Sequence, residues 1–130
     1  MTLLDVEALP AMDVAGRAER LRPAFAGAGV DALLVTHLPN VRYLTGFTGS
    51  AAMLLVTDDA LVFTSDGRYR TQAGEQLAAA GVDARIEIGA TVAQQRVALA
   101  GVLAPGARVG LESHSVTWAQ QLDLARVFDG

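Results

Sequence analysis

Apolar residues recur along this chain with two distinct periods, and the switches between them mark out its elements. Val14, Ala18, Leu21, Phe25 and Ala28 fall on one helical face, with Asp13 placed to cap its start and Gly29 to stop it. Pro23 lies inside that pattern. A proline within a helix loses a hydrogen bond and clashes with the preceding turn, costing about 3 kcal/mol, so a kink or break is predicted near Arg22. The continuous apolar run "VDALLVT", residues 30–36, then reads as a buried strand.

"HLPNVRYLTG" follows, where Pro39 can open a short helical turn that ends at Gly46. "AAMLLVT" (51–57) and "ALVFT" (60–64) predict a hairpin closed by Asp58 and Asp59. Tyr69, Ala73, Leu77 and Ala80 then share a helical face, with Ser65 or Asp66 as its cap. "ARIEIG" (84–89) alternates like a strand near a sheet edge, and residues 91–103 carry a weaker helical pattern through Val92, Leu99 and Leu103. "ARVGLE" (107–112) predicts another strand. A last helix is predicted from near Ser115, with Trp118, Leu122 and Ala125 facing inward. A hairpin inside an alternating α/β order implies a mixed sheet flanked by helices.

Composition narrows what such a domain does. At 130 residues and 52% hydrophobic content the chain suits one folded domain, and its 5% aromatic content leaves Ala, Val and Leu to fill the core. Residues 1–12 lack a period and read as an N-terminal arm, with the domain at 13–130. All ten basic side chains are arginine, which removes a lysine nucleophile or a phosphate-loop lysine. The net charge of −4 and the scattered arginines argue against nucleic-acid binding. With no cysteine, no basic leader and no apolar run near the roughly 20 residues that span a bilayer, a cytoplasmic protein that does not enter the membrane is expected.

Candidate chemistry is sparse. His37 and His114 are far apart and belong to no metal-binding spacing, so no metal site is expected in this chain. Ser50 lacks the glycine spacing and the strand-to-helix setting of a nucleophile elbow. Gly46 and Gly49 precede a strand, whereas a phosphate cradle precedes a helix. Asp66 and Arg68 stand at a strand-to-helix junction, a common place for functional groups, yet a structural or interface role is favoured, with Asp66 as a helix cap and Arg68 pairing locally or facing a partner. No catalytic residue is expected.

Asn40 with Tyr43-Leu44-Thr45-Gly46-Phe47, the hairpin, Asp66-Gly67-Arg68-Tyr69, then Gly110-Leu111-Glu112 and Val116-Thr117-Trp118-Ala119 form a recognisable series. In these motifs the chain from about Asp13 onward resembles the N-terminal domain of the creatinase, prolidase and aminopeptidase P family. The resemblance implies a mixed sheet somewhat like ribonuclease H. It also implies a following pita-bread catalytic domain, absent from this chain, that binds two divalent metal ions, commonly Mn or Co, and cuts before proline in small peptides. No position here matches those metal ligands, so the chain itself is expected to need no cofactor and to be inactive.

By the same resemblance, such a domain supports a homodimer and limits substrate access to the neighbouring subunit's active site. Asn40 and His37 are then the substrate-access candidates. Tyr43, Phe47, Asp66 and Arg68 are interface or structural candidates, Tyr43 being expected in the packing with its hydroxyl bonded and Phe47 beneath the turn. Two alternatives stay open: a creatinase-like amidinohydrolase parent, and a stand-alone binding or scaffolding module. A nucleotide-binding domain is disfavoured, since no phosphate loop is present.

Overall fold

The computed structural model describes residues 6–8 and 12–128, so most of the expected arm at 1–12 lies outside the described residues. The first helical pattern is broken where Pro23 demands it, into α1 (Arg17–Leu21) and α2 (Ala24–Ala28). Gly29, at φ 71°, ends α2 in the left-handed conformation that glycine adopts without strain. Asp13 does not cap α1. Val14 instead turns into the core, accepting a bond from the Arg17 amide, and Gly16 becomes the N-cap.

The chain continues through β1 (Ala32–Val35), α3 (Leu38–Thr45), β2 (Met53–Thr57), β3 (Leu61–Ser65) and a 3-10 turn at Gly67–Tyr69. Then come α4 (Arg70–Ala79), β4 (Arg85–Ile88), α5 (Val92–Ala100), β5 (Val109–Leu111) and α6 (Trp118–Phe128). The strands form one five-stranded mixed sheet in the order β4-β3-β2-β1-β5. β2 runs antiparallel to β1 and β3, while β5 lies parallel to β1 and β4 parallel to β3. All strands except β2 therefore point their C-terminal ends the same way.

Side-chain alternation divides the core in two. Val35, Leu54, Val56 and Phe63 join Phe25, Val41, Leu44, Ala73 and Leu77 from α2, α3 and α4 in one cluster. Ala32, Leu34, Met53, Leu55 and Val62 meet Leu99 and Leu124 from α5 and α6 in the other. The central strands β1 and β2 are thus covered by apolar groups on both faces, which explains their unbroken apolar runs. β4 is an edge strand, and its Arg85–Glu87 ion pair puts charge on that edge.

Several inward assignments are corrected. Ala28 is exposed, and Val92 is 53% exposed. α6 begins at Trp118, later than Ser115, because Thr117 and Gln120 bond each other's backbone amides reciprocally as a capping box. Trp118 is 77% exposed and Leu122 43%, while Leu124 is buried. The helix carries two apolar stripes, and the one containing Leu124 and Phe128 lies on the sheet.

Candidate functional site at the strand ends

Two polar clusters lie at the end of the sheet where β1, β3, β4 and β5 terminate, on either side of α3. Open α/β sheets commonly bind ligands at such strand ends. The first cluster joins the ends of the parallel strands β1 and β5. Glu112, directly after β5, is half-buried and reaches across to the start of α3. Its Oε1 accepts from the Thr36 amide at 2.7 Å and the His37 amide at 2.9 Å. The Thr36 hydroxyl approaches the same oxygen at 3.4 Å, and the Asn40 side-chain amide donates to Oε2 at 2.5 Å.

The carboxylate thereby satisfies amides at the N-terminal end of α3, where negative charge is favoured by the helix dipole. His37 caps α3 through its backbone carbonyl, and its ring is left exposed. Asn40 is exposed as well, and with Nδ2 engaged it offers Oδ1 as an acceptor. Beside these residues is an open cleft of about 370 Å³, floored by Leu21, Leu33, Val35 and Leu44 and rimmed by Arg17, Arg20 and Tyr43. Tyr43 is not buried as expected. It is 56% exposed, because α3 turns Val41, Leu44 and Thr45 inward instead. The Arg17 guanidinium stacks 4.1 Å above the Tyr43 ring and donates to its backbone carbonyl at 2.8 Å.

The second cluster holds the Gly46–Ser50 loop. Phe47 is 1% exposed and meets Phe63 and Tyr69 edge-on, with centroids 4.9 Å and 5.4 Å away. Above that aromatic knot, the Tyr69 hydroxyl lies 2.6 Å from the Ser50 hydroxyl and accepts from the Ser50 amide. These bonds from Ser50, the side-chain one foremost, draw the Tyr69 pKa below its ordinary value, and the nearby Arg68 charge adds to the effect. Gln76 completes the loop: it accepts from the Thr48 amide and donates back to the Thr48 hydroxyl. Asp66 caps the 3-10 turn by accepting from the Arg68 amide and holds the Arg68 guanidinium with both oxygens at 2.9 Å. That side-chain pairing keeps the Asp66 carboxyl below the usual aspartate range. Ser65, the other cap candidate, is buried in β3 and donates to the Ala51 carbonyl.

The structure brings Asn40 and His37 together, and Asp66 and Arg68 together, while Tyr43 stands exposed on α3 and Phe47 is buried in the loop that follows it. Glu112, Tyr69 and Gln76 organise these clusters without having been singled out from the sequence as site residues, and Ser50, weighed there only as a nucleophile, acts with Tyr69. Their partners are distant in the chain, so only the family motifs around Glu112 and Tyr69 drew attention to them. Neither cluster contains a nucleophile poised against a base. Among the described residues no group of three His, Asp or Glu side chains gathers to hold a metal ion. No described helix is long and apolar enough to cross a membrane.

A larger groove of about 770 Å³ opens at the other end of the sheet. Arg22, Asp31 and Arg108 on its walls are engaged locally. Arg22 donates to the Thr57 carbonyl at 2.7 Å and pairs with Glu19, and Asp31 accepts from the Arg108 amide and guanidinium. The Arg108 backbone bond is the main reason why the Asp31 carboxyl is held below its ordinary range. The strand-end clusters therefore remain the better candidate.

A sequence profile of the creatinase/prolidase N-terminal domain matches residues 17–130. The N-terminal domain of the cytoplasmic peptidase PepQ from Mycobacterium tuberculosis H37Rv, solved by itself, is 38% identical with a TM-score of 0.75, over 89% of this chain and 87% of that one. A Xaa-Pro dipeptidase from Bacillus anthracis is 30% identical with a TM-score of 0.75, over 87% of this chain but only 31% of its own. Peptidase YqhT of Bacillus subtilis, itself uncharacterised, is 46% identical over 59 residues, which are 45% of this chain and 17% of that protein. The chain thus spans well under half the length of its curated relatives.

Proposed function

As this chain belongs to the creatinase/prolidase N-terminal domain family, we propose that it is the non-catalytic N-terminal domain of a cytoplasmic Xaa-Pro peptidase, either a dipeptidase or an aminopeptidase. The observation that carries this reading is the match of 87% of this chain to only 31% of a Xaa-Pro dipeptidase, which leaves most of that enzyme outside the matched part. Such a parent has a C-terminal catalytic domain, and on this reading the two divalent metal ions, Mn or Co, and the bond-breaking chemistry belong there. The present domain supports a homodimer and forms a wall beside the neighbouring subunit's active site.

On that wall, Asn40 and His37 face the small peptide substrate. The fixed position of Asn40 supports this role. Its amide is tied to Glu112, so its free acceptor is held in place before a peptide N–H arrives, and little ordering remains to be done on binding. The same tie aligns the start of α3, on which His37 sits. Arg68, paired to Asp66, and Tyr43, stacked under Arg17, remain candidates for contacts with the second subunit.

The test is steady-state hydrolysis of Ala-Pro and longer Xaa-Pro peptides by the extended enzyme with Asn40→Ala or His37→Ala. We expect KM to rise several-fold with kcat nearly unchanged, the signature of lost uniform binding. Unchanged KM in both variants would remove these residues from the substrate side. Hydrolysis of creatine but not of Ala-Pro by the unmodified enzyme would replace the peptidase reading with an amidinohydrolase.

A further inference from the structure

We infer that the outward side of α6, formed by Trp118 and Leu122, is the seat on which the following catalytic domain docks. The inference rests on the reading that this chain is the front domain of a longer peptidase. α6 is apolar on two sides. Leu124 and Phe128 pack on the sheet together with Val116 from the preceding turn. On the other side Trp118 and Leu122, at i and i+4, form a second contact face, while Ala125 is half-buried beside Leu124 and Phe128. Trp118 is 77% exposed and Leu122 43%, and the charged neighbours Asp123 and Arg126 pair with each other. A helix that covers one core needs one apolar stripe. An exposed tryptophan in a second, uncharged stripe has the character of an interface anchor, since such a side chain removes on the order of 200 Å² from water when covered.

Position decides between the possible occupants. α6 is the last element of the domain, so a chain continuing beyond it leaves from the Phe128 end of this helix. At 1.5 Å of rise per residue that end is about 15 Å from Trp118. A domain tethered so close faces the stripe at an effective concentration in the millimolar range, which a second copy in dilute solution does not approach. In the Bacillus anthracis dipeptidase, more than two thirds of the chain lies outside the part matched here, enough for such a domain.

The test is hydroxyl-radical footprinting of Trp118 in the extended protein and in the 130-residue chain. An N-terminal domain of a relative was solved by itself, and the short chain serves here as the undocked control. Trp118 is the chain's single tryptophan, so its oxidation and its acrylamide quenching in the short chain are unambiguous. We expect oxidation to be at least about fivefold slower in the extended protein. Leu122→Asp, at an exposed position, should restore fast oxidation while leaving the circular dichroism of the short chain unchanged. Equal oxidation in both proteins overturns the inference. Concentration-dependent protection in the short chain, with sedimentation as a dimer, also overturns it by showing a second copy on the stripe. Xaa-Pro hydrolysis is measured separately on the same extended protein: activity without protection removes the docking alone, whereas protection without activity supports docking and removes the peptidase reading.

Discussion

The face of the sheet covered by α1 to α4 buries Phe25, Val41, Leu44, Ala73 and Leu77 around an aromatic knot, whereas the face covered by α5 and α6 leaves Val97, Trp118 and Leu122 exposed. On the first face each helix has one apolar side, and the sheet satisfies it. On the second, α6 has two such sides and the sheet covers only one. The difference separates residues that make the domain fold from residues whose apolar character is not explained by this domain alone.

The sharpest test of that contrast compares two aromatic truncations in the 130-residue chain. Phe47→Ala removes a fully buried ring that touches Phe63 and Tyr69 and should cost about 3–5 kcal/mol in urea unfolding. Trp118→Ala should stay within about 0.5 kcal/mol, as expected of an exposed position. Equal losses would erase the distinction between the two faces.

A smaller effect is expected at Gly49. A Cβ there would lie 2.3 Å from the Phe47 ring and 2.8 Å from that of Tyr69, so Gly49→Ala should destabilise the domain by about 1–3 kcal/mol through overpacking. The same substitution at Gly67, where a Cβ meets nothing within 4 Å, is the matched control and should be tolerated far better. Glu112→Ala should cost a similar 1–3 kcal/mol, because it strips the Thr36 and His37 amides of their acceptor. Glu112→Gln, which keeps a carbonyl acceptor, should lose less in the same unfolding experiment.

The gentlest probe is pH. Hydrogen bonds from Ser50 favour the ionised form of Tyr69, so Ser50→Ala should move its ultraviolet titration upward. Because the folded-state pKa is the lower one, the stabilisation from this ionisation is fully present above the unfolded tyrosine pKa. It is lost as pH falls through the folded value. Asp66 follows the same sign in acid: its contribution is complete above the ordinary aspartate pKa and disappears as pH falls through its depressed folded value. Arg68→Ala should raise the Asp66 pKa as followed by NMR, and an unmoved titration would contradict the pairing.

Much of the fold was legible because its signals are local. Pro23 announced the break between α1 and α2, Gly46 the end of α3, and Asp58-Asp59 the hairpin turn. The alternation in residues 84–89 pointed correctly to an edge strand. The inward face of α6 was misread at Trp118 and Leu122, whose helical spacing is as regular as that of the residues that do face the core. Periodicity shows that a helix has an apolar stripe but not what covers it. The site was less legible for a related reason. Glu112 acts on residues more than 70 positions away in sequence, and that pairing exists only once β5 lies beside β1. Tyr43 illustrates the reverse error, since an aromatic residue within a family motif suggested burial, whereas it stands outside with an arginine on its ring.

The central claim, that this domain shapes a Xaa-Pro peptidase whose chemistry resides in a following domain, is tested most directly by turnover. Hydrolysis of Ala-Pro in Mn(II) is measured for the purified 130-residue chain and for the extended protein from its own gene. The account predicts turnover by the extended protein and none by the short chain. Turnover by the short chain alone, or an extended protein inert toward every Xaa-Pro peptide, would contradict it.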